Sequence, residues 1–147
     1  MNTNATTPSL GMTRLRLLDE AAATGHDAKT VSDAMQALYE RGYISYPYTE
    51  CEFIPAVQAG EAQSIVAAIA MVAPEVETRI TVNAKSPVFV QEFVWAHHAI
   101  IPWKETLWTS SIDDAHPLAR EIYLLVAKAY LDAISASTSN LAEVAAK

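Results

Sequence analysis

Residues 28–42, AKTVSDAMQALYERG, limit the fold more than any other part of this chain. Val31, Ala34, Met35, Leu38 and Tyr39 recur at the three-and-four spacing that lines one face of an α-helix. Asp27 stands where an N-cap acceptor is needed, and Gly42 where the helix must stop. An apolar stripe of this kind holds only when other elements cover it. The rest of the chain offers three further helices. Leu15, Leu18 and Ala22 predict a first helix from near Met12 to the stop at Gly25, with those three residues inward. A third runs through roughly Gln58 to Val72 with Ala62, Ile65, Val66 and Ile69 inward, and Pro74 closes it. The last opens near Pro117, whose missing amide suits a first turn, and turns Leu118, Ile122, Leu125, Val126 and Ala129 to the core.

Hydrophobic residues make up 51% of the chain and glycines number four, a balance that favours helices over a sandwich or barrel. The expected class is mainly α with a few short strands. Helix, tight connection, helix and then a short extended segment at Tyr43–Tyr46 is the order of a helix-turn-helix with a wing-like strand. ETRITVN and PVFVQEF alternate well enough to be two short strands paired across Ala84–Pro87, and VWAHHAIIPWKETLW reads as a structured loop. Residues 1–11 form a polar leader, residues 12–136 one folded unit and residues 137–147 a tail.

The single cysteine, Cys51, excludes an intrachain disulfide and argues against a thiolate metal site, so a reducing cytoplasmic setting is expected. The N-terminal residues lack the pattern of a secretory signal, and no window approaches the length of an apolar membrane span. Net charge is −7 with a pI near 5.0, and no run of lysine or arginine occurs. That balance argues against tight, nonspecific nucleic-acid binding but leaves room for a local strand pocket. Whatever nucleic-acid binding the chain has is expected to be salt-sensitive and no tighter than roughly micromolar at physiological salt, as a titration would show.

Three groups of residues carry chemistry. Tyr46 sits between Ser45 and Pro47 at the end of the extended segment, followed by the polar Thr49, Glu50, Cys51 and Glu52. It is either a packing tyrosine or a phenol presented for attack. His97 and His98 are adjacent; on an extended segment they point to opposite sides, so at most one faces a given pocket and a shared metal is not expected. One surface and one core histidine is the plainer reading. Trp95, Trp103 and Trp108 flank them, and serve either core packing or stacking on unpaired bases.

QALYERGYISYP, then AHHAIIP, then EIYLLVAKAYL, in that order, resemble the type IA DNA topoisomerases, and the bacterial topoisomerase III branch most closely. The likeness runs from Leu10 to Ile134. It implies a helix-turn-helix, winged-helix-like (CAP-like) domain bearing the active-site tyrosine. In that family the tyrosine matching Tyr46 attacks a backbone phosphate of single-stranded DNA, leaving a 5′-phosphotyrosine link and a free 3′ hydroxyl. The histidine matching His97 sits beside it, helping to place the DNA and the charge. The resemblance further implies strand contacts at Tyr48, Thr49, His98 and Gln36, and no metal ligand among these residues.

Two positions depart from the family pattern. The arginine usual two places after the nucleophile is Tyr48 here, removing a cation whose loss would cost a few kcal/mol of transition-state stabilisation, on the order of a hundredfold in rate. The threonine usual after IIP is Trp103. The family's magnesium ion is held by a TOPRIM domain with a glutamate and an Asp-x-Asp pair, and no Asp-x-Asp occurs in these residues. Cleavage would therefore need that domain as a partner. A catalytically decayed relative, serving as a DNA- or protein-interaction module, is the alternative. A winged-helix transcription factor would want basic residues along its second helix, where only Lys29 and Arg41 stand, at its ends.

Overall fold

A computed structural model of the chain describes residues 10–92, 96–103 and 111–137. The predicted stripe is helix α2 (Ala28–Glu40), with Val31, Ala34, Met35 and Leu38 buried. Asp27 Oδ1 accepts the Thr30 amide at 2.7 Å, satisfying one of the unpaired donors at the helix start. At the other end Gly42 adopts φ 77° and the Tyr43 amide reaches back to the Leu38 carbonyl at 2.9 Å. This six-to-one closure is the Schellman arrangement, open to glycine because it has no Cβ to clash. Tyr39 leaves the stripe: it is 40% exposed at the helix edge.

Helix α1 (Arg14–Ala22) is capped by Thr13, whose hydroxyl accepts the Arg16 amide at 3.1 Å. Its buried residues are Leu17 and Ala21. The expected inward trio is corrected here: Leu15 is 59% exposed, Ala22 is exposed and Leu18 only partly covered. A helix this short, with leucines at 15, 17 and 18, offers two competing apolar faces, and packing against α2 and α4 chooses between them.

Strand β1 (Ile54–Pro55) leads through a 3₁₀ turn at Ala56–Glu61 into helix α3 (Ala62–Val72), which buries Ala62, Ile65 and Ile69 and stops just before Pro74. The predicted helix over roughly 58–72 thus begins as a tighter turn. Strand β2 (Phe89–Val90) pairs with β1 in parallel, Ile54 opposite Phe89 and Pro55 opposite Val90. This overturns the expected pairing of ETRITVN with PVFVQEF. The reason lies at the end of helix α4 (Ala119–Ser135), whose last carbonyls need donors. Asn83 supplies its amide to Ile134 O and its side chain to Ala136 O, both at 2.7 Å, and the Ser86 hydroxyl donates to Ala133 O. The turn is spent capping α4 and cannot close a hairpin.

Helix α4 begins at Ala119, two residues after Pro117, and packs against α1, α2 and α3. Ile122, Val126 and Ala129 are buried as expected, together with Tyr123, Ala127, Tyr130 and Ile134, while Leu118 and Leu125 are only partly covered. No helix among the described residues is long and apolar enough to cross a membrane. The extended segment at Tyr43–Tyr46 forms no strand; it makes a single antiparallel bridge, Ile44 with Pro102, and Met12 bridges Ile100 in the same way. Gly11 belongs to this packed region, being buried with its amide on Glu52 O at 2.8 Å. The rest of the leader (residues 1–9), the tail from 138, Trp95 and Trp108 lie outside the described residues.

Tyr123 carries an energetic cost. Its hydroxyl is buried with no partner among the described residues, its ring meets Tyr43 edge-on at 6.3 Å, and burial pushes the phenol pKa up. An unpaired buried hydroxyl costs about 1–3 kcal/mol, so Tyr123→Phe is expected to stabilise the fold by about 1 kcal/mol, raising Tm by about 2–4 °C. Thermal melting followed by circular dichroism checks this; a lower Tm would mean the hydroxyl holds a bond worth keeping.

Candidate active site

Two extended segments meet beside α2. Residues 43–45 and 99–103 run antiparallel, with Ser45 N–H on Ile101 O at 2.9 Å and Trp103 N–H on Tyr43 O at 3.0 Å. The buried Ser45 hydroxyl locks the pair, accepting the Ile101 amide at 2.9 Å and donating to Ala99 O at 3.4 Å. Tyr43 and Ile44 are buried, so the chain is anchored in the core up to the residue before Tyr46. Anchoring on both sides brings Tyr46 and His97 together, although 51 positions apart in sequence.

The Tyr46 and His97 rings stack, centroids 3.9 Å apart and planes 23° from parallel. Tyr46 is half-buried and His97 exposed. Tyr39 and Tyr48 contact Tyr46 edge-on, at centroid distances of 5.7 and 5.5 Å. Three rings therefore fix the phenol's direction, an arrangement favoured by the aromatic quadrupole. The stack sets the face of the imidazole against the face of the phenol ring.

Around this pair the other sequence candidates take different places. Tyr48 is 44% exposed, and its hydroxyl donates to Gln36 Oε1 at 2.8 Å, tying the ring to α2. Gln36 in turn donates to Glu40 at 2.9 Å. Thr49 is buried, with its hydroxyl donating to His97 O at 3.3 Å and accepting the Cys51 amide at 3.1 Å. It holds the histidine's backbone in position. Its own carbonyl accepts the Arg14 amide at 2.8 Å, which ties α1 to the same strut.

A cavity of about 550 Å³ opens beside the phenol, lined by Tyr46, His97, His98, Ile44, Gln58 and Trp103 among others. Both histidines line it, correcting the expectation that adjacent side chains would diverge. The chain bends at Ala96–His97 and is not extended there, so the alternation of a strand does not apply. His98 Nδ1 lies 2.7 Å from Ala99 O, so this nitrogen carries the proton and Nε2 is left to the cavity. Trp103 is 42% exposed at the rim; the other two tryptophans lie outside the described residues, so no aromatic cluster is traced. Among the described residues no group of three or more His, Cys, Asp or Glu is placed to hold a metal.

Sequence reasoning missed two residues that pack on this cluster of rings, Tyr39 against Tyr46 and Arg14 against Tyr48. Tyr39 had been placed on the apolar stripe, and its position at the stripe's edge was the one available signal. Arg14 gave none: its guanidinium carbon lies 5.9 Å from the centroid of the Tyr48 ring, a contact across the fold.

Residues 2–144 match the family described as DNA topoisomerase. The DNA topoisomerase 3 of Vibrio cholerae is 33% identical over 118 residues, covering 78% of this chain and 18% of that protein. That of Salmonella typhimurium is 32% identical over 117 residues, covering 78% of this chain and 17% of its own length. The chain thus spans less than a fifth of the length of the curated relatives it matches.

Proposed function

The chain belongs to the DNA topoisomerase family, in its type IA, topoisomerase III-like branch, and we propose that it contacts single-stranded DNA through Tyr46 and cleaves it when a TOPRIM domain joins the site. The single observation that carries this reading is the phenol of Tyr46, half-buried, clasped by three rings and opening on a cavity that His97 and His98 also line. Its oxygen forms a bond to a backbone phosphorus while the bond from phosphorus to the 3′ oxygen breaks. The phenolic proton passes to solvent and the leaving oxygen ends as a hydroxyl. One phosphoester replaces another, so resealing needs no outside energy.

Each residue has a task in this reading. His97 stacks on the nucleophile and helps to place the strand against it. Gln36, Tyr48 and His98 meet the strand around the phenol, and Thr49 positions His97. Helices α1 and α2 with the bridged segments serve as the helix-turn-helix and wing. In this reading a TOPRIM partner would supply the magnesium ion that offsets charge on the phosphate, and no step here is routed through it. A cytoplasmic setting is part of the same reading, and the free thiol of Cys51 is in keeping with it.

A second reading keeps the scaffold and drops the chemistry: an interaction module for DNA or protein. Tyr48 favours it, since a neutral phenol bonded to Gln36 stands where the resemblance implies a guanidinium. Mixing the chain with a TOPRIM-domain protein, magnesium and a single-stranded oligonucleotide separates the two. A covalent protein–DNA adduct establishes the first, and its absence under those conditions leaves the second.

A further inference from the structure

Arg14 is built differently from the chain's other well-placed arginines. Carboxylates hold Arg16 through Glu20, Arg79 through Glu77, and Arg120 through Glu75 and Asp113. No carboxylate pairs with Arg14 among the described residues, and its Nε is buried without any hydrogen-bond partner. Leaving a buried donor unpaired destabilises a fold, and one that persists calls for an explanation, such as a ligand that supplies the missing acceptor.

Its position says which acceptor. The guanidinium stands over the Tyr48 ring, 5.9 Å from its centroid, and that ring is 5.5 Å from the ring of Tyr46. The Arg14 amide is bonded to Thr49 O, and the Thr49 hydroxyl to His97 O, so its backbone is braced to the same strut as the histidine. The start of α1 is itself already occupied, because Glu50 Oε2 accepts the Leu15 amide at 3.0 Å. The open donor is therefore the side chain. A net charge of −7 repels a polyanion, so a strand reaching the phenol needs a local cation, and a guanidinium fork matches phosphate oxygens as a pair.

We infer that Arg14 is a phosphate-binding residue, gripping a backbone phosphodiester of the strand on the Tyr48 side of Tyr46. This rests on the reading of Tyr46 as a strand-contacting site. The test is fluorescence anisotropy of a labelled oligothymidylate of about ten nucleotides, titrated at several salt concentrations without magnesium. Arg14→Gln is expected to weaken binding about tenfold and to flatten the salt dependence by about 0.7 in log–log slope, the share of one phosphate on a single strand. Arg14→Lys keeps the charge and should restore the slope while recovering only part of the affinity. Arg79→Gln changes net charge equally at an exposed ion pair outside the ring cluster, and should alter neither.

Equal losses from Arg14→Gln and Arg79→Gln would overturn the inference, since net charge and no particular contact would then be responsible. An unchanged slope for Arg14→Gln, with the adduct at Tyr46 still forming, would overturn the inference alone. No binding and no adduct from the unaltered chain would overturn both.

Discussion

Tyr46→Phe is expected to abolish the covalent protein–DNA adduct, by on the order of 10⁴-fold or more, because it deletes the atom proposed to attack and little else. The phenylalanine ring keeps the stack on His97 and the edge contacts with Tyr39 and Tyr48, so the folded site survives. Binding of single strands should therefore change little while chemistry disappears. The chemistry also dictates the label. In the proposed reaction the protein ends on the 5′ phosphate of the downstream piece, so an oligonucleotide labelled at its 3′ end should carry the label into the adduct on a denaturing gel. One labelled at its 5′ end does not. An adduct of equal yield from the phenylalanine variant would remove Tyr46 from the reaction, and label transfer from the 5′ end would contradict the assigned polarity.

The other large effect lies away from the phenol. A Cβ added at Gly11 would meet Ala99 Cβ at 2.5 Å and Glu52 O at 2.9 Å. Neither neighbour yields easily, one being buried and the other main chain. Three segments are laced at this point: Gly11 N–H to Glu52 O at 2.8 Å, Ala99 N–H to Phe53 O at 3.0 Å, and Ile100 N–H to Met12 O at 2.9 Å. Gly11→Ala is expected to cost about 3 kcal/mol, at the upper end for overpacking a tight site. It should also lower adduct yield, because any shift at Ala99 is passed to His97 two residues earlier and spoils its stack on Tyr46. Urea unfolding measures the first effect and the adduct gel the second. Adding Ala99→Gly removes one of the two clashes and should recover part of the stability, as coupled neighbours do. An unchanged midpoint for Gly11→Ala alone would show that the backbone gives way.

Legibility followed the range of the interaction that decides each feature. The start, stop and buried face of α2 were readable because an N-cap, a Schellman glycine and a stripe all lie within one stretch. For α1 the boundaries were readable but the face was not, since leucines on two sides left the choice to neighbouring helices. The extended segment before Tyr46 was readable as apolar and anchored. Its partner was not, because nothing local to YISYP points to residues 99–103.

Residue order alone therefore settled the mainly helical class, the family, and the identity of the tyrosine and histidine that belong together. Helix periodicity and capping are local, and motif likeness needs no coordinates. Folding in three dimensions decided the parallel β1–β2 pairing, the bend that turns both histidines into one cavity, the aromatic clasp on Tyr46 and the approach of Arg14 to Tyr48. Each of these joins segments far apart along the chain, and such contacts depend on how whole helices pack, which no short window of residues encodes.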